Sequence, residues 1–350
     1  MSKLKVGVIF GGMSTEHDVS IVSGTSIIQN LNKEKYEVLP IYIDKNGNWY
    51  KYTKNINEIK ALHVGDEIEE VEKIENEFEY LKNLDIAFPV LHGLYGEDGT
   101  IQGLLELLKV KYVGCKVLGS SICMDKVYAK IVFEKARIPQ AQYAYIKAEN
   151  GQYTYVNEEF EEQKVTLEKV AQKIESKLGF PVFVKPSNSG SSVGINKAKN
   201  LKELEQAIEY ASKYDTKILI EEEIIGREVE CAVLGNENVK ATCVGEILPA
   251  EDFYTFDAKY KNSESRVVIP AEIENEKQEE IRNLAIKAFK AVDGKGLSRV
   301  DFFIRKSDNR VYINEINTLP GFTQISMYPK LWEACGVPYS ELLDKLIELA

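Results

Sequence analysis

Residues 297–316 read "LSRVDFFIRKSDNRVYINEI", two alternating runs separated by the turn residues Ser307, Asp308 and Asn309. A hairpin centred on Asp308 sets Asp301 opposite Glu315 and Arg299 opposite Asn317. Alternate residues of a strand share a face, so all four then point to one side of the sheet. Two carboxylates converging there repel unless a cation lies between them. Mg²⁺ typically takes one or two carboxylates together with substrate phosphate oxygens. The competing account is an exposed hairpin face that is merely polar, and a register slipped by one residue would change the pairing. Against a plain surface strand stands the continuation "NEINTLPGF" at 314–322.

Upstream, residues 181–195 read "PVFVKPSNSGSSVGI". A β-branched and aromatic run ends at Lys185, and Gly190 and Gly194 then bracket Ser191 and Ser192. Backbone N–H groups of such a loop can cradle phosphate oxygens. It is not a Walker A loop, because G-x-x-x-x-G-K-[ST] occurs nowhere in the chain. A flexible linker is the alternative, although the flanks are apolar and strand-like, unlike polar coil. Lys126, in "CMDKVYAK" at 123–130, reads alone as a surface lysine. Paired with Lys185, it would give an acidic protein two cations for a polyphosphate. "LIEEEIIGRE" at 219–228 places Glu221, Glu222 and Glu223 after an apolar strand. That run is either a solvated acidic face or a hinge bordering a nucleobase and ribose. Glu16, in "FGGMSTEHDVS" at 10–20, falls in the first turn of a helix after a strand. It suits the helix macrodipole, or faces a ligand at the C-terminal end of a parallel strand.

The chain has 350 residues, which implies two or three domains. Strand-like "KLKVGVIFGG", "YEVLPIYI" and "LDIAFPVLHG" alternate with helix-like "STEHDVSIVSGTSIIQNL" and "DGTIQGLLELLKV", the pattern of a parallel α/β sheet. This first unit spans 1–118, and its acidic stretch at 45–80 reads as a solvated excursion. A second unit, 119–220, opens with the amphipathic "SSICMDKVYAKIVFEKARIP". A third, 221–350, contains "REVECAVLG" and "KATCVGEIL" as antiparallel neighbours. Residues 251–266, "EDFYTFDAKYKNSESR", are aperiodic and long for a plain connection, as functional or disordered loops are. A net charge of -11 argues against nucleic-acid or anionic-membrane partners. "KVGVIF" is too short for a signal h-region or a membrane span. The five scattered cysteines without C-x-x-C fit reduced thiols, and a cytoplasmic location is expected. Three histidines without zinc spacing leave any metal site to carboxylates and a hard cation.

The stretches "GGMSTEHDVS", "LHGLYGEDGTIQG", "MDK", "VKPSNSGSSVGI", "EEEIIGREVE", "AKY", "RVDFF" and "NEINTLPGFTQISMYP" occur in this order over nearly the whole chain. As a set they resemble the D-alanine–D-alanine ligase family of the ATP-grasp superfamily. The resemblance implies a three-domain α/β architecture: an N-terminal parallel α/β unit, then central and C-terminal α+β ATP-grasp domains with ATP clasped between them. It implies that Lys126 and Lys185 hold ATP phosphates and that Lys259 reaches the phosphate. Glu221, Glu222 and Ile224 would border adenine and Glu228 the ribose, although some relatives have Lys where this chain has Glu222. Asp301, Glu315 and Asn317 would bind two Mg²⁺ ions, with Mn²⁺ able to substitute. Glu16 would take the ammonium of the first D-alanine, with His92 nearby. Ser191 and Tyr260 would link to Glu16 and help close the site. Arg299 and the Gly321 N–H would stabilise the oxyanion, and Ser326 and Met327 would receive the second D-alanine carboxylate.

The reaction implied is ATP-dependent ligation through an acyl phosphate, for peptidoglycan precursors, by a homodimer. Phosphoryl transfer needs positioned charge, the oxyanion needs preorganised donors, and the acyl phosphate must be kept from water. The aperiodic segment at 251–266 suits a closing lid. Related ligases append D-lactate or D-serine instead, and Val193, Tyr260 and Met327 keep the D-alanine pattern here. A non-catalytic nucleotide-binding α/β module is the remaining alternative.

Overall fold

The structure, a computed structural model, describes residues 2–60, 62–66, 68–190, 193–248 and 266–350. Ser191, Lys259, Tyr260 and the expected lid up to residue 265 lie outside the described residues.

The described strands form three sheets. In the first, β1 (Leu4–Gly11) pairs in parallel with β2 (Tyr36–Ile43) and with β5 (Ile86–Pro89). β5 in turn pairs in parallel with β6 (Lys111–Tyr112). β1 is buried continuously from Val6 to Gly11, as a central parallel strand covered on both faces must be. Helix α1 (His17–Asn30) packs closely on it: a Cβ on Gly24 would lie 2.5 Å from Phe10 Cβ. The stretch at 45–80 is more than the solvated excursion expected. It adds β3 (Trp49–Tyr52) and β4 (Val71–Lys73) as antiparallel strands at the sheet edge. Ile74 is buried beneath them, and α2 (Glu77–Lys82) follows, with Leu81 buried.

The second sheet has the order β11-β10-β12-β7-β8-β9. Its members are β7 (Tyr143–Glu149), β8 (Gln152–Val156), β9 (Glu162–Val165), β10 (Val182–Pro186), β11 (Asn196–Ala198) and β12 (Lys217–Glu222). All its pairings are antiparallel. α3 (Thr100–Leu108) connects β5 to β6, and α4 (Val117–Met124) and α5 (Lys126–Lys135) lead from the first sheet to the second. The amphipathic α6 (Leu167–Leu178) and α7 (Leu201–Ala211) bury Val170, Ile174, Leu204 and Ile208 against the second sheet.

The third sheet, β15-β14-β13-β16-β17, is antiparallel throughout. It contains β13 (Gly226–Leu234), β14 (Lys240–Leu248), β15 (Arg266–Val268), β16 (Leu297–Arg305) and β17 (Val311–Asn317). Strand period divides its faces: Val229, Cys231 and Val233 pack against α8 (Asn275–Ala291), while Ala232 and Leu234 join a different core. That second core contains α9 (Met327–Ala334) and α10 (Tyr339–Glu348) and is continuous with Val6, Val8, Phe10 and Phe88 of the first sheet. α5 buries Ala129 and Phe133 in the α8-side core, which sets its other residues beside the second sheet. One departure from ideal pairing matters. β16 and β17 shift register between Asp301 and Phe302, where Glu315 and Ile313 are the successive partners. Asn314 is the extra, bulged residue.

Candidate active site

The hairpin delivers the predicted pairs. Arg299 lies opposite Asn317 and Asp301 opposite Glu315. Arg299 grips Asp301 with two bonds, Nε to Oδ1 and Nη2 to Oδ2, each 2.7 Å. Asn317 Nδ2 donates to Asp301 Oδ2 at 3.0 Å. Such a fork fixes both carboxylate and guanidinium in orientation. The neighbouring strand adds a residue that sequence reading passed over. Glu230, opposite Asp301 on β13, lies 2.9 Å from Arg299 Nε. Its signal was the alternation in "REVEC", which puts Glu228 and Glu230 on one face. Burial works against the Arg299 charge, yet Asp301 and Glu230 hold its pKa well above the usual arginine value.

The second cluster joins β10, β12 and α5. Glu221 Oε2 is 2.6 Å from Lys185 Nζ, and its Oε1 is 2.5 Å from Lys130 Nζ. Lys130 and Glu221 are only 3% and 6% exposed in their side chains. Burial alone would raise the Glu221 pKa, but Lys130 and Lys185 lower it to about 2. Burial pushes Lys130 down, whereas the acids around Lys185 outweigh its burial and push it up. Lys126, Lys130, Lys185, Glu221 and Glu315 all line one narrow recess between the second and third sheets. Lys130 was missed because its spacing on α5 resembles that of an ordinary helix-surface lysine. Its burial comes from α5 lying against β12, a contact between segments far apart in sequence.

α5 is tied to the phosphate-type loop. Asp125 caps the helix through Val127 N and Tyr128 N, accepts the Ser187 hydroxyl at 2.6 Å, and pairs with Lys217. Lys126 N donates to Ser187 O, and Lys126 Nζ donates to Ser189 O at 2.5 Å. The lysine ammonium therefore rests on the loop that begins at Lys185. Elsewhere on the hinge, Glu222 accepts from Gln142 N at 2.8 Å, and Ile224 and Glu228 are half-buried.

A third cluster surrounds Glu16, which is the N-cap of α1 and stands one position before the first turn where it was expected. Its carboxylate is pressed between two loops: Cβ atoms on Gly93 and Gly190 would lie 2.5 and 2.4 Å from Oε2. His92 is buried, with Nδ1 3.0 Å from Leu319 O and Nε2 3.0 Å from Ser23 Oγ. Burial lowers its pKa, while Glu16 opposes the shift. Glu97 accepts from Gly93 N at 3.0 Å and from Leu319 N at 3.2 Å. Burial, then the neighbouring Glu16, raises the Glu97 carboxyl to about 8. It stands in the quoted "GEDG" run, but nothing in that run marks it as bridging to Leu319. Ser326 is the N-cap of α9; its Oγ accepts from Thr323 N at 3.1 Å and would lie 3.2 Å from a Cβ on Gly321. Met327, buried, begins the helix. Gly321 and Ser326 thus lie together at the start of α9, next to Met327.

No cluster of three or more His, Cys, Asp or Glu side chains among the described residues is arranged to hold a metal ion. The hairpin offers two facing carboxylates and the Asn317 amide, a hard-oxygen set that fits Mg²⁺ sharing its remaining ligands with phosphate and water. The lysines set positive charge for a polyphosphate beside a recess of only about 10 Å³, Glu16 offers its carboxylate to an ammonium, and a guanidinium stands between acids of β13 and β16.

Two family profiles match the chain, one described as D-ala D-ala ligase N-terminus over residues 5–115 and one as D-ala D-ala ligase C-terminus over residues 132–348. The chain is 52% identical over 351 residues to a D-alanine–D-alanine ligase of Clostridium acetobutylicum, covering 99% of this chain and 98% of the relative. It is 50% identical over 372 residues to one of Acetivibrio thermocellus, covering 99% and 96%. Among solved structures, the VanG D-Ala:D-Ser ligase from Enterococcus faecalis matches with a TM-score of 0.85 and 36% identity over 99% of both chains. The D-alanine-D-alanine ligase from Coxiella burnetii matches with a TM-score of 0.82 and 35% identity over 100% and 94%.

Proposed function

The chain belongs to the D-alanine–D-alanine ligase family, and from that premise we propose how its own residues carry out the reaction. The protein is an ATP-dependent ligase of the ATP-grasp fold that joins two D-alanines for cell-wall synthesis. The observation that best supports the assignment of roles is the recess shared by Lys126, Lys185, Glu221 and Glu315, which sets phosphate-type cations beside the acid hairpin.

Lys126 and Lys185 hold the ATP phosphates, with Lys259 joining from outside the described residues. Glu221, Glu222 and Ile224 border adenine, and Glu228 the ribose. Glu221 serves partly through Lys185, which it already holds. Glu16 orients the first D-alanine by its ammonium, next to His92. The substrate carboxylate then attacks the γ-phosphate and ADP leaves, giving the acyl phosphate. Asp301, Glu315 and Asn317 would hold two Mg²⁺, or Mn²⁺ in their place, to offset charge on the transferring group. Ser326 and Met327 receive the carboxylate of the second D-alanine. Its amine attacks the acyl carbon, Arg299 and the Gly321 N–H stabilise the oxyanion, and phosphate leaves. Ser191 and Tyr260 complete the closure over Glu16 and keep water out.

We also propose the division into domains at 1–118, 119–220 and 221–350; the three separate sheets support three units, with β12 carrying the second through Glu222, two residues past the expected bound. Homodimerisation and a cytoplasmic location are proposed with it. No helix of the described residues is long and apolar enough to cross a membrane.

The test is phosphate release by purified protein with ATP and Mg²⁺, with and without D-alanine. Equal release in both would overturn the ligase reading. Competition among D-alanine, D-serine and D-lactate tests the acceptor, which Met327 and Val193 favour as D-alanine; the likeness to VanG makes D-serine the informative competitor. A preference for D-lactate at neutral pH would overturn the choice.

A further inference from the structure

The five cysteines are scattered in sequence, but the fold brings two of them together. Cys243 lies on β14, and Cys335 caps the C-terminal end of α9. The Cys243 backbone N–H donates to Cys335 Sγ at 3.2 Å. Cys335 is exposed and Cys243 half-buried, whereas Cys115, Cys123 and Cys231 are buried. Burial, the neighbouring Cys335 and a hydrogen bond between the two thiols push the Cys243 thiol up to about 12. Of the pair, the exposed Cys335 is the thiol an oxidant reaches first.

The helix between this pair and the acceptor end of the site has no slack. A Cβ on Gly245 of β14 would lie 2.8 Å from Met327 Sδ and 3.1 Å from Leu331 Cδ2. α9 therefore rests directly on the β14 backbone along the turns that separate Met327 from Cys335. A covalent bond at its C-terminal end must draw that end onto β14. A stiff, close-packed helix passes such a shift to its first turn, where Ser326 and Met327 stand.

We propose that Cys243 and Cys335 form a thiol-oxidation site, whose disulfide clamps the end of α9 to β14 and weakens the acceptor site at the start of that helix. The oxidant is a peroxide. The Cys335 thiolate attacks one peroxide oxygen, giving the sulfenic acid and releasing hydroxide, which takes up a proton to become water. The Cys243 sulfur then attacks the sulfenyl sulfur, the S–S bond forms, and the second oxygen leaves as water with the Cys243 proton. Two thiols are oxidised and one peroxide is reduced to two waters. The effect on the acceptor rests on the proposed roles of Ser326 and Met327; formation of the bond does not.

The experiment treats the full-length reduced enzyme with hydrogen peroxide and reads intact mass, free thiols and kinetics. Free thiols should fall from five to three, with loss of two hydrogens in mass and one peptide pair linking Cys243 to Cys335. The KM for the acceptor D-alanine should rise about fivefold while that for ATP stays fixed, and dithiothreitol should reverse both changes. Cys335→Ser and Cys243→Ser should each abolish the link and the KM shift. The proposal is overturned by Cys335 oxidised to a stable sulfinic acid with Cys243 still free, or by a link between two chains. A linked enzyme with unchanged acceptor KM would overturn the clamp. If the ligase reading itself failed, the mass and thiol counts would still decide whether the site exists.

Discussion

Glu221 and Lys130 meet at 2.5 Å with both side chains almost wholly buried, so one carboxylate carries the charge of Lys130 as well as Lys185. Removing one partner of a buried pair leaves charge uncompensated. Lys130→Met still leaves Glu221 the charge of Lys185, so it should destabilise the protein by only about 1.5 kcal/mol in urea unfolding, the loss of one charge-assisted hydrogen bond. Locking Lys185 more tightly to Glu221 should also raise the KM for ATP. Lys130→Arg should restore much of both. A Lys130→Met enzyme of unaltered stability and ATP affinity would refute the shared-carboxylate account.

Gly190 and Glu16 provide a second test. A Cβ at Gly190 would lie 2.4 Å from Glu16 Oε2 and 3.3 Å from its Cδ, atoms at the far end of a flexible side chain. Gly190→Ala should therefore leave the thermal midpoint nearly unchanged and displace the Glu16 carboxylate. The KM for the first D-alanine should rise about tenfold or more, the order expected when a binding group is moved by around an ångström. Gly190→Pro adds stiffening of the loop and should lower turnover further.

Glu315→Gln should keep its place opposite Asp301, since the pairing is backbone-driven. It removes one of two facing carboxylates, and turnover should fall about 100-fold or more with the circular dichroism spectrum intact. Chelation of divalent cations by EDTA should abolish D-alanine-dependent phosphate release, and added Mg²⁺ should restore it. Near-normal turnover of Glu315→Gln would remove the metal role from the hairpin.

Glu97 makes a prediction about pH. Its folded pKa of about 8 lies above its ordinary value of 4.5, so the folded state holds this proton more tightly than the unfolded state. The stabilisation is complete below about pH 4.5 and is lost as pH rises through about 8. Wild-type stability should thus carry a falling component between these limits, which Glu97→Gln removes. Urea midpoints measured across that window will show it; an identical slope in both proteins would count against a protonated Glu97.

The acid hairpin was legible in its strand period and marked turn, although the tip pairs Ile304 with Val311, half a residue short of a centre at Asp308, so the expected pairs of Asp301 and Arg299 hold only because a bulge restores them. Its bulge was not, since an extra residue such as Asn314 leaves no trace in composition. Short strands with little buried side-chain surface, such as the half-buried β3 and the mostly exposed edge strand β4, look like coil in sequence. Glu16, His92 and the 314–322 run were found through local motifs. Lys130, Glu230 and the Glu97 bridge were not, because each acquires its role from a partner on a distant segment. The same holds for Cys243 and Cys335, which are joined only by the packing of α9 on β14.

The Asn314 bulge has a consequence for how the two ends of this hairpin are set. Lengthening or shortening an unbroken ladder by one residue would turn every downstream side chain to the opposite face. Here the mismatch is absorbed between the tip and the acids, so Asp301 and Glu315 keep their partners on one side of it while the tip pairs on another register. The tip and the acids are thus set independently: the tip is held by Lys306 N donating to Ile225 O and Lys277 Nζ donating to Asn309 O, while the bulge keeps its register from fixing that of the acids.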